Sequence, residues 1–131
     1  MTCFVDTSAV LALLDADDRH HRTARRAWER LLEEHAPLVT TNYVIVELVA
    51  LLQKRFGIKS VRLFQEDFMP LFKVVWVDGE IHDIGLIAVL YGERPGYSLV
   101  DCTAFEVMKK LGIRQVFTFD KHFRDQGFET V

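Results

Sequence analysis

Asp6, Glu47, Asp101 and Asp120 are carboxylates set where a purely structural sequence would favour something apolar, and each sits in a different local context. Asp6 closes the apolar run Cys3-Phe4-Val5 directly before Thr7-Ser8-Ala9-Val10, so it ends a strand and starts a helix. Open α/β sheets bind ligands at such carboxyl ends of strands, although Asp before an apolar helix is also ordinary capping chemistry. Glu47 has Tyr43, Val44, Ala50 and Leu51 at its i−4, i−3, i+3 and i+4 positions, which embeds it in an apolar helix face. A charge there costs on the order of several kcal/mol unless a cation or hydrogen bonds replace its hydration; at the edge of the stripe it could instead snorkel to water. Asp101 falls in the first turn of a helix that Ser98 can cap, where the helix dipole favours negative charge. Its i+3 and i+4 partners, Ala104 and Phe105, turn it toward the sheet. Asp120 follows Val116-Phe117-Thr118-Phe119 and is either a common turn residue or a second strand-end carboxylate beside Asp6.

Four carboxylates gathered at one end of a sheet repel one another unless a cation sits among them, so their joint presence predicts metal binding. Without a Cys or His cluster the ligands are all hard oxygens, the donor set of Mg²⁺ or Mn²⁺ rather than Zn²⁺. Such ions commonly act on phosphate esters by lowering the pKa of a water and neutralising charge on the phosphate and leaving oxygen, which makes a nuclease the leading class.

The elements that must position these acids follow from periodicity. Short apolar runs alternate with longer segments of helical period, the pattern of an α/β domain with a mainly parallel sheet. Strands are predicted at residues 3–6, 38–40, 73–77 and 115–119, with an edge strand at 128–131. Helices are predicted at 9–15 and within 17–35 as a hairpin, from a cap at Asn42 to about Phe56 before Gly57, and at 60–68, broken at Pro70. Others run over 81–91, ending in a turn at 92–96, and from a cap at Ser98 to about Leu111, with a turn or short helix at 121–125. The 131 residues, half of them hydrophobic, suit one domain spanning 1–131, with no repeat or linker.

Composition narrows the function. Sixteen Lys and Arg against 19 Asp and Glu give a formal charge of −3, which excludes a generally basic nucleic-acid coat protein. With four acids committed to one pocket, 15 remain against 16 basic residues, a near-neutral surface around a concentrated metal site. Cys3 and Cys102 lie far apart with no CxxC, so neither a thiolate zinc site nor a disulfide framework is expected, and a reducing cytosol suits them. The N-terminus has no basic n-region, and the longest apolar run is interrupted by Glu47; a cytoplasmic protein that neither is exported nor spans a membrane is expected. Arg19, Arg22, Arg26 and Arg30, with Arg25 nearby, form a basic stripe, either a solvated face partly paired with Glu29, Glu33 and Glu34 or a phosphate track beside the acids. Lys109, Lys110, Arg114, Lys121 and Arg124 are a second such surface. His122 reads as a surface turn residue that could touch RNA, and no HExxH pair or glycine-rich P-loop is present. Gly96-Tyr97-Ser98 is half a nucleophile elbow, with Val100 where its second glycine would stand.

Four stretches in order are Phe4-Val5-Asp6-Thr7-Ser8-Ala9, Thr41-Asn42-Tyr43-Val44-Ile45-Val46-Glu47, Ser98-Leu99-Val100-Asp101-Cys102-Thr103-Ala104-Phe105 and Val116-Phe117-Thr118-Phe119-Asp120-Lys121-His122-Phe123. Together they resemble the PIN-domain ribonucleases, specifically the VapC-type toxins of bacterial and archaeal toxin–antitoxin pairs, over essentially the whole chain. The resemblance implies a PIN-like three-layer α/β/α sandwich and a Mg²⁺- or Mn²⁺-dependent endoribonuclease. It implies that Asp6 and Asp101 are the principal metal ligands, and that Glu47 and Asp120 bind or orient the water and complete a second-ion position. Thr7, Ser8 and Thr118 fill the small hydroxyl positions beside the acids, or are simply a cap and a strand residue. A homodimer, an RNA substrate and a small antitoxin that covers or disorganises the pocket are also implied. Two alternatives compete: a non-catalytic PIN-like RNA- or protein-binding module, and a dehalogenase-type phosphatase, which Ser8 disfavours because a second Asp is needed there. The sequence does not name the RNA, since specificity in such a fold resides in loops and surface shape.

Overall fold

A computed structural model describes residues 1–93 and 96–131; Arg94 and Pro95, within the turn expected at 92–96, lie outside the described residues. Its strands are β1 (Cys3–Val5), β2 (Leu38–Thr41), β3 (Phe72–Val75), β4 (Gln115–Phe117) and β5 (Glu129–Thr130). Its helices are α1 (Thr7–Leu14), α2 (His21–Glu33), α3 (Asn42–Phe56), α4 (Ile58–Leu63), α5 (Gly79–Tyr91), α6 (Leu99–Leu111) and α7 (Lys121–Asp125). The five strands form one sheet in the order β3-β2-β1-β4-β5, and every pairing is parallel.

Strand alternation sorts the core into two layers. Cys3, Val5, Leu38 and Phe117 point to one face, where they pack with Val10, Ala24, Leu31, Leu48, Leu52 and Phe64 from α1, α2, α3 and the segment after α4. Phe4, Val39 and Val116 point to the other, against Ile81, Phe105, Met108 and Phe123 from α5, α6 and α7. The result is the expected three-layer α/β/α sandwich. Gly85 lets α5 lie against α6: a Cβ there would stand 2.6 Å from the Thr103 side chain. Cys3 and Cys102 are free and buried; burial pushes the Cys3 thiol up to about 12 and raises that of Cys102.

Two local expectations are corrected. The N-cap of α3 is Thr41, whose Oγ1 accepts from the Val44 amide at 3.1 Å. Asn42 is the first helical residue, and its Oδ1 accepts from Val77 N at 2.6 Å, tying α3 to the segment after β3. The helix expected at 60–68 starts earlier, at Ile58, and changes to a π-helical turn over Phe64–Phe68 and a 3₁₀ turn over Met69–Leu71. Pro70 cannot continue the α-helical ladder, and the wider turn accompanies ring packing of Phe64 on Phe68 and Phe72, both of which meet Trp28.

The strand order places a crevice. From β1 the chain moves to β2 and β3 on one side, then crosses back through α5 and α6 to β4 on the other. That reversal makes the carboxyl ends of β1 and β4 a topological switch point, where the flanking connections diverge and leave a cleft. Val5 pairs with Phe117 at this edge, so the residues that follow them, Asp6 and Thr118, emerge side by side.

Candidate metal centre

Asp6 occupies the N-cap position of α1 in an extended backbone conformation, yet its side chain makes no capping hydrogen bond. Its Oδ2 instead accepts from Thr118 Oγ1 at 2.8 Å and from Ser8 Oγ at 3.0 Å. Both hydroxyls are oriented for this by the backbone. Ser8 Oγ accepts from Phe119 N at 2.9 Å and Thr118 Oγ1 from Asp120 N at 3.0 Å, which leaves each hydroxyl proton free to face the carboxylate. Asp6 is 5 % exposed. Burial pushes its carboxyl up from 3.8 to about 6, the Thr118 and Ser8 hydrogen bonds pull the other way, and the charge of Asp101 adds to the rise.

Asp101 completes the capping box of α6 and Asp120 caps α7, and both lie at the crevice with His122. Ser98 and Asp101 form a capping box on α6: Asp101 N donates to Ser98 Oγ at 3.0 Å, and Ser98 N donates to Asp101 Oδ2 at 3.2 Å. Asp120 caps α7 by accepting from His122 N at 3.0 Å. Between them lies His122, with Nδ1 3.1 Å from Asp101 Oδ2 and 3.3 Å from Asp120 Oδ1. Asp101, Asp120 and His122 offer three donor atoms that all lie within 4.8 Å of one another. His122 is therefore no solvent-facing turn residue. Sequence reasoning missed it because the relation between α6 and α7 is tertiary, although its place two residues after a strand-end acid was a usable signal.

The other expected residues are placed less tightly. Glu47 is half-buried on α3 and makes no hydrogen bond or ion pair among the described residues. Among the described residues no hydrogen bond or ion pair ties it to the other three acids. Thr7 is buried, and its hydroxyl has no hydrogen-bond partner among the described residues, whereas Ser8 and Thr118 both touch Asp6. Among the described residues no Lys or Arg pairs with Asp6, Glu47, Asp101 or Asp120. A buried carboxylate beside two further acids, with no Lys or Arg paired to them among the described residues, forms a donor set that suits a divalent ion, and the residues present fit that group.

Basic side chains reach the rim of the crevice. The His20 ring stacks on Phe119 with centroids 4.5 Å apart, which brings the start of α2 beside the end of β4. A groove of about 380 Å³ runs there between His20, Thr118, Asp120, Lys121 and Arg124. Arg19, Arg22, Arg25, Arg26 and Arg30 are all exposed, and the Arg25–Glu29 pair at 3.6 Å is a solvated surface contact.

Comparison with known proteins agrees with this geometry. Residues 3–129 match the model of the PIN domain family. The chain is 33% identical over 129 residues to the 23S rRNA-specific endonuclease VapC20 of Mycobacterium tuberculosis, covering 98% of this chain and 96% of that one. It is 29% identical over 133 residues to a VapC ribonuclease of Aquifex aeolicus, covering 97% and 93%. The crystal structure of M. tuberculosis VapC20, described as a sarcin-ricin loop cleaving toxin, superposes with a TM-score of 0.83 at 32% identity over 97% of this chain and 96% of that one. The chain belongs to the PIN-domain family, among its VapC-type members.

Proposed function

We propose that the chain is a Mg²⁺- or Mn²⁺-dependent endoribonuclease, the toxin of a toxin–antitoxin pair. The observation that carries this reading is the group of Asp101, Asp120 and His122 at a strand-end crevice, with the buried Asp6 beside it feeling the Asp101 charge and sharing Thr118 with Asp120, and no Lys or Arg paired to the acids among the described residues. Asp6 and Asp101 would hold the ion, and Glu47 and Asp120 would orient the attacking water and complete a second-ion position. When bound, the ion lowers the pKa of a water and neutralises charge on the phosphate. Ser8 and Thr118 fix the orientation of Asp6 through two hydroxyl donors. Glu47, with no hydrogen bond of its own among the described residues, keeps its oxygens available to accept from the nucleophile. Attack is in line on phosphorus, without a covalent enzyme intermediate, and the groove at Lys121 and Arg124 receives a neighbouring phosphate.

The 23S rRNA-specific cleavage for which the mycobacterial relative is named supports ribosomal RNA as the first substrate to test. The partners are a cognate antitoxin and a second copy of the chain. The homodimer is supported by apolar side chains left in solvent on α5, where Ile87, Leu90 and Tyr91 are 58%, 62% and 80% exposed. No helix among the described residues is long and apolar enough to cross a membrane, in keeping with a cytoplasmic site of action.

The test is cleavage of ribosomal RNA by wild type and by Asp6→Asn and Asp101→Asn, with Mg²⁺, Mn²⁺ or a chelator. Metal-dependent cleavage that fails in both variants is expected. RNA binding without cleavage under every condition would favour the non-catalytic module instead.

A further inference from the structure

We propose that His122 is a nitrogen ligand of the metal centre, and that through it the centre prefers first-row transition ions such as Mn²⁺ to Mg²⁺. The inference rests on the reading that these acids hold a divalent ion, and it replaces the all-oxygen donor set expected from sequence. Ligand atoms in neighbouring positions of an octahedral ion with bonds of about 2.1 Å stand about 3.0 Å apart. His122 Nδ1 stands 3.1 Å from Asp101 Oδ2 and 3.3 Å from Asp120 Oδ1, so the nitrogen has the spacing of an adjacent ligand to each carboxylate, and all three donor atoms lie within 4.8 Å of one another.

The ring is braced for that role. Phe123, next in sequence, is fully buried and anchors α7 in the core. Tyr97 packs edge-on against the imidazole, with centroids 4.8 Å apart, and its hydroxyl accepts from Gln126 Nε2 at 3.3 Å. In the metal-free protein Nδ1 is the donor toward Asp101; on loading, the tautomer with the proton on Nε2 presents the Nδ1 lone pair to the ion. Nε2 makes no hydrogen bond among the described residues and can take the proton, and the hydrogen bond to Asp101 Oδ2 given up at Nδ1 is replaced by the bond to the ion. An imidazole nitrogen suits the later first-row ions best and is accepted by Mn²⁺ more readily than by Mg²⁺, which favours oxygen and keeps its waters.

The experiment uses the metal-stripped full chain, loaded with Mn²⁺ alone. Electron spin-echo modulation reads nitrogen bonded to Mn²⁺, and calorimetric titration gives Mn²⁺ and Mg²⁺ dissociation constants for wild type, His122→Gln and Asp101→Asn. Directly bonded ¹⁴N is expected in wild type and absent in His122→Gln. That substitution should weaken Mn²⁺ by about tenfold and Mg²⁺ by less than about threefold, while Asp101→Asn weakens both. Circular dichroism of His122→Gln checks that the fold is kept. Tight Mn²⁺ binding without nitrogen coupling, or an equal loss for both ions in His122→Gln, overturns the role of His122 and leaves the carboxylate site standing. Failure of wild type to bind either ion overturns both.

Discussion

The two halves of the crevice hold their carboxylates by opposite means. On the β1 side, Asp6 is buried, caps nothing with its side chain, and is met by two hydroxyls. On the α6–α7 side, Asp101 and Asp120 are part of the helix termini they cap, and His122 stands between them. The outer acids therefore contribute to the fold whether or not an ion is bound. The inner one opposes the fold until something positive arrives, which is what a group retained for binding rather than stability should do.

Activity separates the halves least and changes most. Asp6→Asn and Asp101→Asn should each lower ribosomal RNA cleavage by about a hundredfold or more, read in single-turnover assays at saturating metal. A variant of either half that cleaves at the wild-type rate would remove that half from the centre.

Stability separates them by sign. The Asp6 carboxyl is raised from 3.8 to about 6 by burial, so its charged form is disfavoured in the folded state. For such an acid the penalty is full above the folded value and vanishes below the unfolded one. At about 1.36 kcal/mol per pH unit, it amounts to about 3 kcal/mol at neutral pH. Metal-free Asp6→Asn should thus be more stable than wild type by up to about 3 kcal/mol at pH 7.5, with the gain fading between pH 6 and pH 4. Denaturant melts across that range read it directly, and saturating Mn²⁺ should narrow the gap by stabilising wild type alone. Asp101→Ala and Asp120→Ala should instead destabilise by about 1 kcal/mol each, the usual loss for a helix cap. Equal signs for Asp6 and Asp101 would dissolve the contrast.

The smallest effect concerns the hydroxyls. Thr118→Val keeps the shape of a buried strand-end residue but removes the donor to Asp6 and the acceptor of Asp120 N. It should cost about 1–2 kcal/mol and leave Thr118→Ser near wild type, as measured by thermal unfolding.

How far this contrast could be read in the sequence depended on whether each feature is local. The strand end at Asp6 and the Ser98 cap are local, since a short apolar run meeting a capping residue fixes both; the all-parallel sheet follows from the alternation of such runs with helical periods. Thr41 rather than Asn42 caps α3 because β2 runs one residue further than its apolar pattern, and Asn42 is recruited by Val77, 35 residues away. His122 was hidden for the same reason: its partner Asp101 belongs to another helix, and no spacing rule links the two. The sequence context of Asp6 by itself favoured a cap, and only the placement of Ser8 and Thr118 shows that its side chain is used elsewhere.

The proposed role of the gathered acids is to hold a cation that does chemistry. The direct measurement is a Mn²⁺ titration of metal-stripped wild type in which binding and ribosomal RNA cleavage are followed in the same samples, beside Asp6→Asn and Asp101→Asn. Saturable binding and cleavage should rise together in wild type and fail together in both variants. Cleavage that persists in chelator, or that survives in both variants, would contradict it.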